Sequence, residues 1–250
     1  MAPRLSLSTG ETRMSSGTPR GILRLLRLAA SGAALFALLS LGAAMASEPS
    51  ADAPQWRGVI SKFAQEHFKN PAWGYSHCLR DYQLARQLAA EDHIALDDDV
   101  LYAAAYLHDM AAFEPWEKSG VDHADQAAAI VDTILKNTGF PMKKIEAVRG
   151  AIRTHMFDRN PAGAEALYLH DADALDWLGA IGVARVIGLV DPHGGNPTGP
   201  EIIPKLESNL ANVPPRVLSP AGKKRVPERT EQLQTFLRQL RQETDNLRLL

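Results

Sequence analysis

The sequence has a single cysteine, Cys78, in 250 residues. One thiol excludes an intrachain disulfide, and it argues against the cysteine-rich sites that hold structural zinc. The sequence also has no excess of charge of one sign, because 27 Lys and Arg face 29 Asp and Glu. Nucleic-acid-binding domains usually need a concentrated basic surface, so no nucleic-acid-binding surface is predicted. Without disulfides, the fold is expected to depend on an apolar core and on metal.

The first 46 residues have the layout of a secretory signal peptide. Arginines precede an uncharged apolar run over residues 28–46, which closes on Ala44-Met45-Ala46. We therefore predict cleavage after residue 46 and an exported, periplasmic protein that meets the membrane only through this segment. An uncleaved membrane anchor is the alternative, since the run approaches the length of a membrane span. Removal of residues 1–46, with five arginines and one glutamate, would change the formal net charge from −2 to −6.

The rest of the chain predicts an all-α fold. Residues 47–56 are expected to form a linker and residues 57–250 a single helical domain, because apolar residues recur at helical spacing without a strand-like alternation. Further segments are predicted in the second half of the chain: a long helix over 164–190, a loop over 193–200, an irregular segment over 214–227 and a last helix over 228–246.

The apolar run over residues 101–107 predicts a buried helix that ends in the doublet His108-Asp109. His108 lies on the same helical stripe as Leu101 and Ala104. Buried imidazole and carboxylate groups each need a partner, because unpaired burial costs several kcal/mol. A bound cation would satisfy both groups. A hydrogen-bonded core histidine beside an exposed aspartate is the alternative from this stretch alone.

Other histidines and aspartates occur on apolar stripes or at predicted helix ends. They are His77, His123, His155, Asp171 and Asp173. Asp122 is the predicted N-cap of a helix that begins at His123. Imidazole and carboxylate donors suit Mn, Fe, Co, Ni or Zn. The set therefore predicts a metal site without thiolate ligands.

The order of His77, His108-Asp109 and Asp173 resembles the HD-domain metal-dependent phosphohydrolase superfamily. The flanking sequences resemble a bacterial subgroup of predicted HD phosphohydrolases. These flanks are Asp122-His123-Ala124, the segment over 151–155 that ends in His155, and the run from Asp171 to Gly182. The resemblance covers about residues 70–245. It implies an all-α HD-type domain.

The resemblance also implies a set of metal ligands, which holds one or two divalent ions of Mn, Fe, Co, Ni, Mg or Zn. These ligands are His77, His108, Asp109 and Asp173. Asp171 is the rival for the last position, and Asp173 is preferred because its Ala-Asp-x-Leu context matches the superfamily. Ala174 stands where relatives often have arginine, which puts a phosphate contact at that position in doubt. Asp176 is a candidate for orienting a ligand.

Two histidines have alternative roles in the resemblance. His123 and His155 either hold a second metal ion or contact substrate phosphate and transfer protons. Arg80 and Lys118 are further candidates for phosphate binding.

The function implied is hydrolysis of a phosphate ester, a nucleotide or another small phosphoester, by metal-activated water. Asp109, His123 and His155 are the predicted catalytic residues. Two alternatives stay open: a di-iron oxygenase of the HD type, and a non-catalytic domain that keeps metal for stability or ligand binding. The substrate, the native metal and the oligomeric state are not predicted.

Overall fold

The computed structural model describes residues 54–190 and 201–250, and every regular element in these ranges is helical. The α-helices are α1 Gln55–His67, α2 Tyr75–Glu91, α3 Asp98–Leu107, α4 His123–Leu135, α5 Ile145–Arg153, α6 Ala164–Asp176, α7 Gly179–Val190, α8 Ile202–Asn212 and α9 Pro220–Glu243. The predicted signal peptide and the predicted loop over 193–200 lie outside the described residues. None of the described helices has the length and apolar character needed to cross a membrane.

Helix α3 is the central helix, and every residue from Val100 to Leu107 is buried. It packs against α1, α2, α5 and α6. The Asp97 carboxylate caps its N-terminus by accepting hydrogen bonds from two backbone N–H groups of the first turn. The helix ends at Leu107, so the doublet His108-Asp109 follows in the interior of the domain. The prediction of a buried helix that ends in this doublet is confirmed.

Gly74 fixes the start of α2, the helix that carries His77. A Cβ atom at Gly74 would lie 2.3 Å from the carbonyl oxygen of Asn70 and 2.6 Å from that of Phe68. Any side chain here would push the backbone apart, so glycine is required by the close approach. Helix α2 then runs along α6 and packs closely against it. The pairing places His77 beside the residues of α6 that face it.

The predicted helix over 164–190 is two helices in the structure. Helix α6 ends at Asp176, and α7 begins at Gly179, whose φ is +67°. Glycine adopts this left-handed conformation without the penalty that a Cβ atom imposes, which allows a sharp change of direction. The apolar periodicity of the sequence continues across residues 177–178, so the sequence pattern does not reveal that the helix is interrupted there.

The ends of the domain also differ from the prediction. Helix α1 begins at Gln55, inside the predicted linker. The prediction of an irregular segment is wrong for residues 220–227, because α9 begins at Pro220 and contains Pro227. The hydroxyl oxygen of Ser219 accepts a hydrogen bond from the Gly222 N–H and caps the helix. Pro227 forfeits one helical hydrogen bond, a loss that the packing of α9 on α6, α7 and α8 compensates.

Candidate metal centre

The predicted site residues meet in one cluster, although they come from five helices or helix ends. The residues are distributed as follows along the chain: His77 in α2, His108-Asp109 after α3, His123 at the start of α4, His155 after α5 and Asp173 in α6. Most of them are buried, and His123 is partly exposed. The cluster contains His77, His108, Asp109, His123, His155 and Asp173.

The buried imidazoles are oriented by hydrogen bonds at Nδ1. Asp176 accepts one from His77 Nδ1 at 2.9 Å, which confirms a contact between Asp176 and a predicted ligand. His108 Nδ1 donates to the carbonyl oxygen of Ala105 at 2.9 Å. A neutral imidazole that donates through Nδ1 presents an unprotonated Nε2, which is a metal-ligand atom. Both rings are therefore held with Nε2 toward the cluster.

The donor atoms are spaced as the ligands of one ion would be. The Nε2 atoms of His77 and His108 lie 3.2 Å apart, and Asp173 Oδ1 lies 3.3 Å from the former. Asp109 Oδ2 is 3.6 Å from His77 Nε2 and 3.3 Å from His108 Nε2. Adjacent ligands at ~2.1 Å from a metal are roughly 3 Å apart, so these residues fit a divalent ion.

Asp109 faces two groups of imidazoles with its two oxygens. Oδ2 faces His77 and His108, whereas Oδ1 lies 3.3 Å from His123 Nε2 and 3.4 Å from His155 Nε2. His155 Nδ1 donates to the carbonyl oxygen of Ile152, so its Nε2 is also turned to the cluster. Burial alone would raise the pKa of Asp109, but the imidazoles hold it well below its ordinary value. Asp109 is therefore an ionised carboxylate between two sets of nitrogen donors.

Asp81 is a buried member of the cluster that sequence reasoning missed. It lies one helical turn after His77, and its Oδ2 is 3.2 Å from His77 Nε2. The i, i+4 spacing on α2 was a signal for it. Burial, with Asp176 and Asp173 nearby, raises the pKa of Asp81 despite the opposing effect of His77.

The charge balance of the cluster favours a cation. Burial and Arg185 both lower the pKa of His77, yet the surrounding carboxylates, Asp81 first, outweigh them and raise it to about 10. The carboxylates thus stabilise positive charge at the point where the imidazole nitrogens converge. Together with donors of nitrogen and oxygen only, this charge balance fits a divalent metal ion.

Asp171, the rival for the last metal ligand, has other partners. Its carboxylate accepts hydrogen bonds from the backbone N–H groups of Leu218 and Ser219 and from His170 Nδ1. These contacts tie α6 to the start of α9. The structure places Asp173, and not Asp171, against His77.

We predict that Asp171→Asn lowers the free energy of unfolding by roughly 2–4 kcal/mol and leaves metal affinity unchanged, because several charge-assisted hydrogen bonds are lost away from the cluster. Burial raises the pKa of Asp171, but its hydrogen bonds outweigh this and lower the pKa below 3.8. The stabilisation is therefore complete above about pH 4 and is lost as the pH falls through the folded-state pKa. Denaturant unfolding and metal titration test this. Unchanged stability with weakened metal binding would contradict it.

A cavity of about 250 Å³ opens beside the Asp109, His123 and His155 side of the cluster. Its wall also includes Trp177 and two cations that sequence reasoning missed, Arg185 and Lys205. The guanidinium carbon of Arg185 lies 3.7 Å from the centre of the Trp177 ring, and the ammonium of Lys205 lies 5.2 Å from it. The cavity therefore joins the cluster to a positively charged, aromatic wall.

Arg80 and Lys118, the predicted phosphate-binding residues, are not brought to this wall in the described part of the chain. The Arg80 guanidinium donates hydrogen bonds to both carboxylate oxygens of Asp176, which in turn holds His77. Lys118 is exposed in the loop after the doublet. Arg80 therefore supports a predicted ligand through Asp176.

Comparison with known proteins agrees with this architecture. Residues 74–178 match the model of the HD domain. A predicted HD superfamily hydrolase from an uncultured Thermotogales bacterium is 26% identical, with a TM-score of 0.54 over 74% of this chain and 91% of that chain. In the described ranges, the fold and the histidine–aspartate cluster define an all-helical domain with a candidate metal centre. Residues 74–178 therefore match an HD domain, and the chain is similar to HD superfamily hydrolases.

Two further solved structures share the fold at lower identity. An HD-superfamily hydrolase from Bacillus thuringiensis is 22% identical, with a TM-score of 0.54 over 76% of this chain and 95% of that chain. YpgQ from Bacillus subtilis, solved in complex with ADP, is 19% identical, with a TM-score of 0.55 over 75% of this chain and 94% of that chain. No curated protein matches the chain.

Proposed function

We propose that this protein hydrolyses a phosphate ester of a small molecule at a centre of two divalent metal ions. The observation that carries the proposal is the position of Asp109, whose two oxygens face separate groups of imidazole nitrogens. A carboxylate in this position can bridge two ions. Two-metal sites of this kind support the displacement of a phosphoryl group.

The two positions differ in the number of protein donors. The inner position has His77, His108, Asp173 and Asp109 Oδ2. The outer position has Asp109 Oδ1 with His123 and His155, and these residues line the cavity. When bound, the ions would lower the pKa of an attacking water and polarise the phosphoryl oxygen. Catalytic metal sites typically have few protein ligands and keep a coordination position open to substrate, as the outer position does.

The cavity wall supplies what a phosphate group needs. Lys205 places positive charge on this wall, and charge-assisted hydrogen bonds to phosphate are strong. Arg185 also lines the wall, but it is buried with its Nη1 3.1 Å from Asp176 Oδ2. His123 is the partly exposed imidazole of the site, so it is placed to contact substrate and to transfer a proton to the leaving group. Trp177 offers an aromatic surface against which the remainder of the substrate can pack.

Nucleotides are the first substrates to test. The cavity combines an aromatic wall with two cations, and the structure of YpgQ from Bacillus subtilis contains ADP. The layout of residues 1–46 supports export, so we place the reaction outside the cytoplasm and extend the substrates to other small phosphoesters. N-terminal sequencing of the protein recovered from a bacterial periplasm should begin near Ser47. Recovery of the intact chain from the membrane would favour an anchor.

The experiment is a measurement of phosphate release by metal-stripped protein that has been reloaded with Mn, Co, Ni, Fe, Mg or Zn. Nucleoside mono-, di- and triphosphates, simple phosphomonoesters and phosphodiesters form the panel. We expect turnover with at least one metal on at least one class of ester. Absence of turnover with every combination would reject the proposal.

The same six residues also suit two irons, so the oxygenase alternative is tested directly. Protein produced in iron-rich medium and purified without oxygen would carry two irons with a mixed-valence spectrum if that alternative held. Tight binding of nucleotides without turnover would instead favour a non-catalytic domain. Neither result is expected.

Lys205→Ala is predicted to raise KM for a phosphoester about tenfold, with a smaller change in kcat, because one charge-assisted contact to phosphate is lost. The matched control is Lys118→Ala, since Lys118 is an exposed lysine away from the cavity wall. Steady-state kinetics on the best substrate measure both. An equal effect in the two variants would show that general surface charge, and not the cavity, is responsible.

A further inference from the structure

Asp81 is buried in the cluster without a hydrogen-bond partner. It is fully buried, and neither carboxylate oxygen has a hydrogen-bond partner among the described residues. By contrast, the carboxylate of Asp176, which also contacts His77, accepts hydrogen bonds from His77 and Arg80. Burial of a carboxylate without a hydrogen bond is costly. We therefore expect Asp81 to bind a group other than the described residues.

The Asp81 carboxylate points to the convergence of the imidazole nitrogens. Oδ2 lies 3.2 Å from His77 Nε2 and 3.7 Å from His108 Nε2. Donor atoms of His77, Asp81, His108 and Asp173 all lie within 4.8 Å of one another. The Nδ1 hydrogen bonds of the two histidines already direct both Nε2 atoms to the same point.

We infer that Asp81 is an additional ligand of the inner metal ion, beyond the four residues that the family resemblance implies. This inference rests on the proposed metal centre and specifies it further. With Asp81, the inner position has two imidazoles and three carboxylates, whereas the outer position keeps three donors. An ion in the inner position would thus be enclosed by these five residues, and the outer position, whose residues line the cavity, would stay open to substrate.

A third carboxylate also changes which metal the inner position prefers. Oxygen donors favour hard ions such as Mn²⁺ and Mg²⁺, and imidazoles favour Zn²⁺ and other borderline ions. Asp81 therefore shifts the inner position toward Mn²⁺. Replacement by asparagine, which has the same shape without the charge, should weaken Mn²⁺ binding more than Zn²⁺ binding.

The test is calorimetric titration of Mn²⁺ and Zn²⁺ into the metal-stripped full chain, for wild type and Asp81→Asn. We expect Asp81→Asn to weaken the first Mn²⁺ at least about tenfold, with a smaller change for Zn²⁺. Thermal unfolding with and without metal gives a second, independent measurement. The metal-stripped variant should be no less stable than metal-stripped wild type, because a neutral amide replaces a buried carboxyl group that has no hydrogen-bond partner, and the metal-loaded variant should be less stable.

Asp171→Asn is the matched control, since Asp171 is a buried aspartate with partners outside the cluster. It should lose stability with and without metal and keep its Mn²⁺ affinity. Asp81→Leu, an apolar side chain of similar size, gives a second variant. Unchanged Mn²⁺ affinity in Asp81→Asn would overturn the inference, and so would failure of both Asp81 variants to fold without metal.

The outcomes separate this inference from the proposed function. If Mn²⁺ affinity depends on Asp81 but no phosphoester is hydrolysed, the ligand assignment stands and the proposed reaction fails. If phosphate is released and Asp81→Asn binds Mn²⁺ as wild type does, the reaction stands and the ligand assignment fails.

Discussion

Asp109→Ala is expected to lower kcat/KM for phosphate-ester hydrolysis by ~10³-fold or more, several kcal/mol of transition-state stabilisation. The reason is that Asp109 is the one carboxylate in the described cluster whose two oxygens face both groups of histidines. Its loss removes one oxygen donor from each metal position, and it also removes the carboxylate that would bridge the two positions. We also expect fewer than two Mn²⁺ ions per chain in the variant.

The control for this prediction is Asp158→Ala, because Asp158 is an exposed aspartate only three residues after His155. It should keep wild-type kinetics and metal content. Steady-state phosphate release and metal analysis on the same preparations provide the comparison. More than a tenth of wild-type activity in Asp109→Ala would show that the reaction does not depend on a bridging carboxylate.

Removal of metal by a chelator is expected to abolish turnover and to lower the melting temperature by about 5–10 °C. Binding of one ion at a hundredfold excess over its Kd stabilises the folded state by ~2.7 kcal/mol, and a domain of about 200 residues shifts by roughly 2–4 °C per kcal/mol.

Re-addition of Mn²⁺ should restore both activity and melting temperature. Asp173→Ala supplies the comparison, since it lacks an inner donor and should show a much smaller metal-dependent shift in melting temperature. Differential scanning calorimetry with and without chelator measures the effect. A wild-type melting temperature that does not respond to chelator or to Mn²⁺ would contradict a buried metal centre.

Much of the cluster was predictable because its residues stand in recognisable local patterns. The doublet His108-Asp109 ends an apolar helix, and a helix that is apolar on all sides is buried in the core. Asp122 before His123 is a standard N-cap pattern, and the structure shows its carboxylate accepting hydrogen bonds from the first turn of α4. Each of these features depends on neighbours within a few residues.

The missed residues depend on contacts between segments far apart in the chain. Arg185 lies over a hundred residues from His77, and its Nη2 is 3.4 Å from His77 Nε2 because α7 turns away from α6 at Gly179. The apolar periodicity over 164–190 runs through that turn without interruption. For the same reason Arg80 was assigned to substrate, although Asp176, brought close by the α2–α6 packing, is its partner.

Asp81 was missed for another reason. On α2 it follows His77 by one turn, but the neighbouring Cys78 and Tyr82 belong to an apolar stripe that accounts for the helix by itself. A charged residue beside such a stripe is usually solvated. Its i, i+4 spacing from His77 is a weak signal, and its complete burial without a hydrogen-bond partner among the described residues is what distinguishes it.

One titration distinguishes a two-ion centre that hydrolyses a phosphoester from a centre that works with one ion. Mn²⁺ is added in steps to metal-stripped protein, and bound Mn²⁺ per chain and the rate of phosphate release are measured on the same samples. We predict a low rate through the first equivalent, which fills the inner position, and a rise with the second. A rate that is maximal at one ion per chain, or no phosphate release at two, would contradict a two-ion hydrolytic centre.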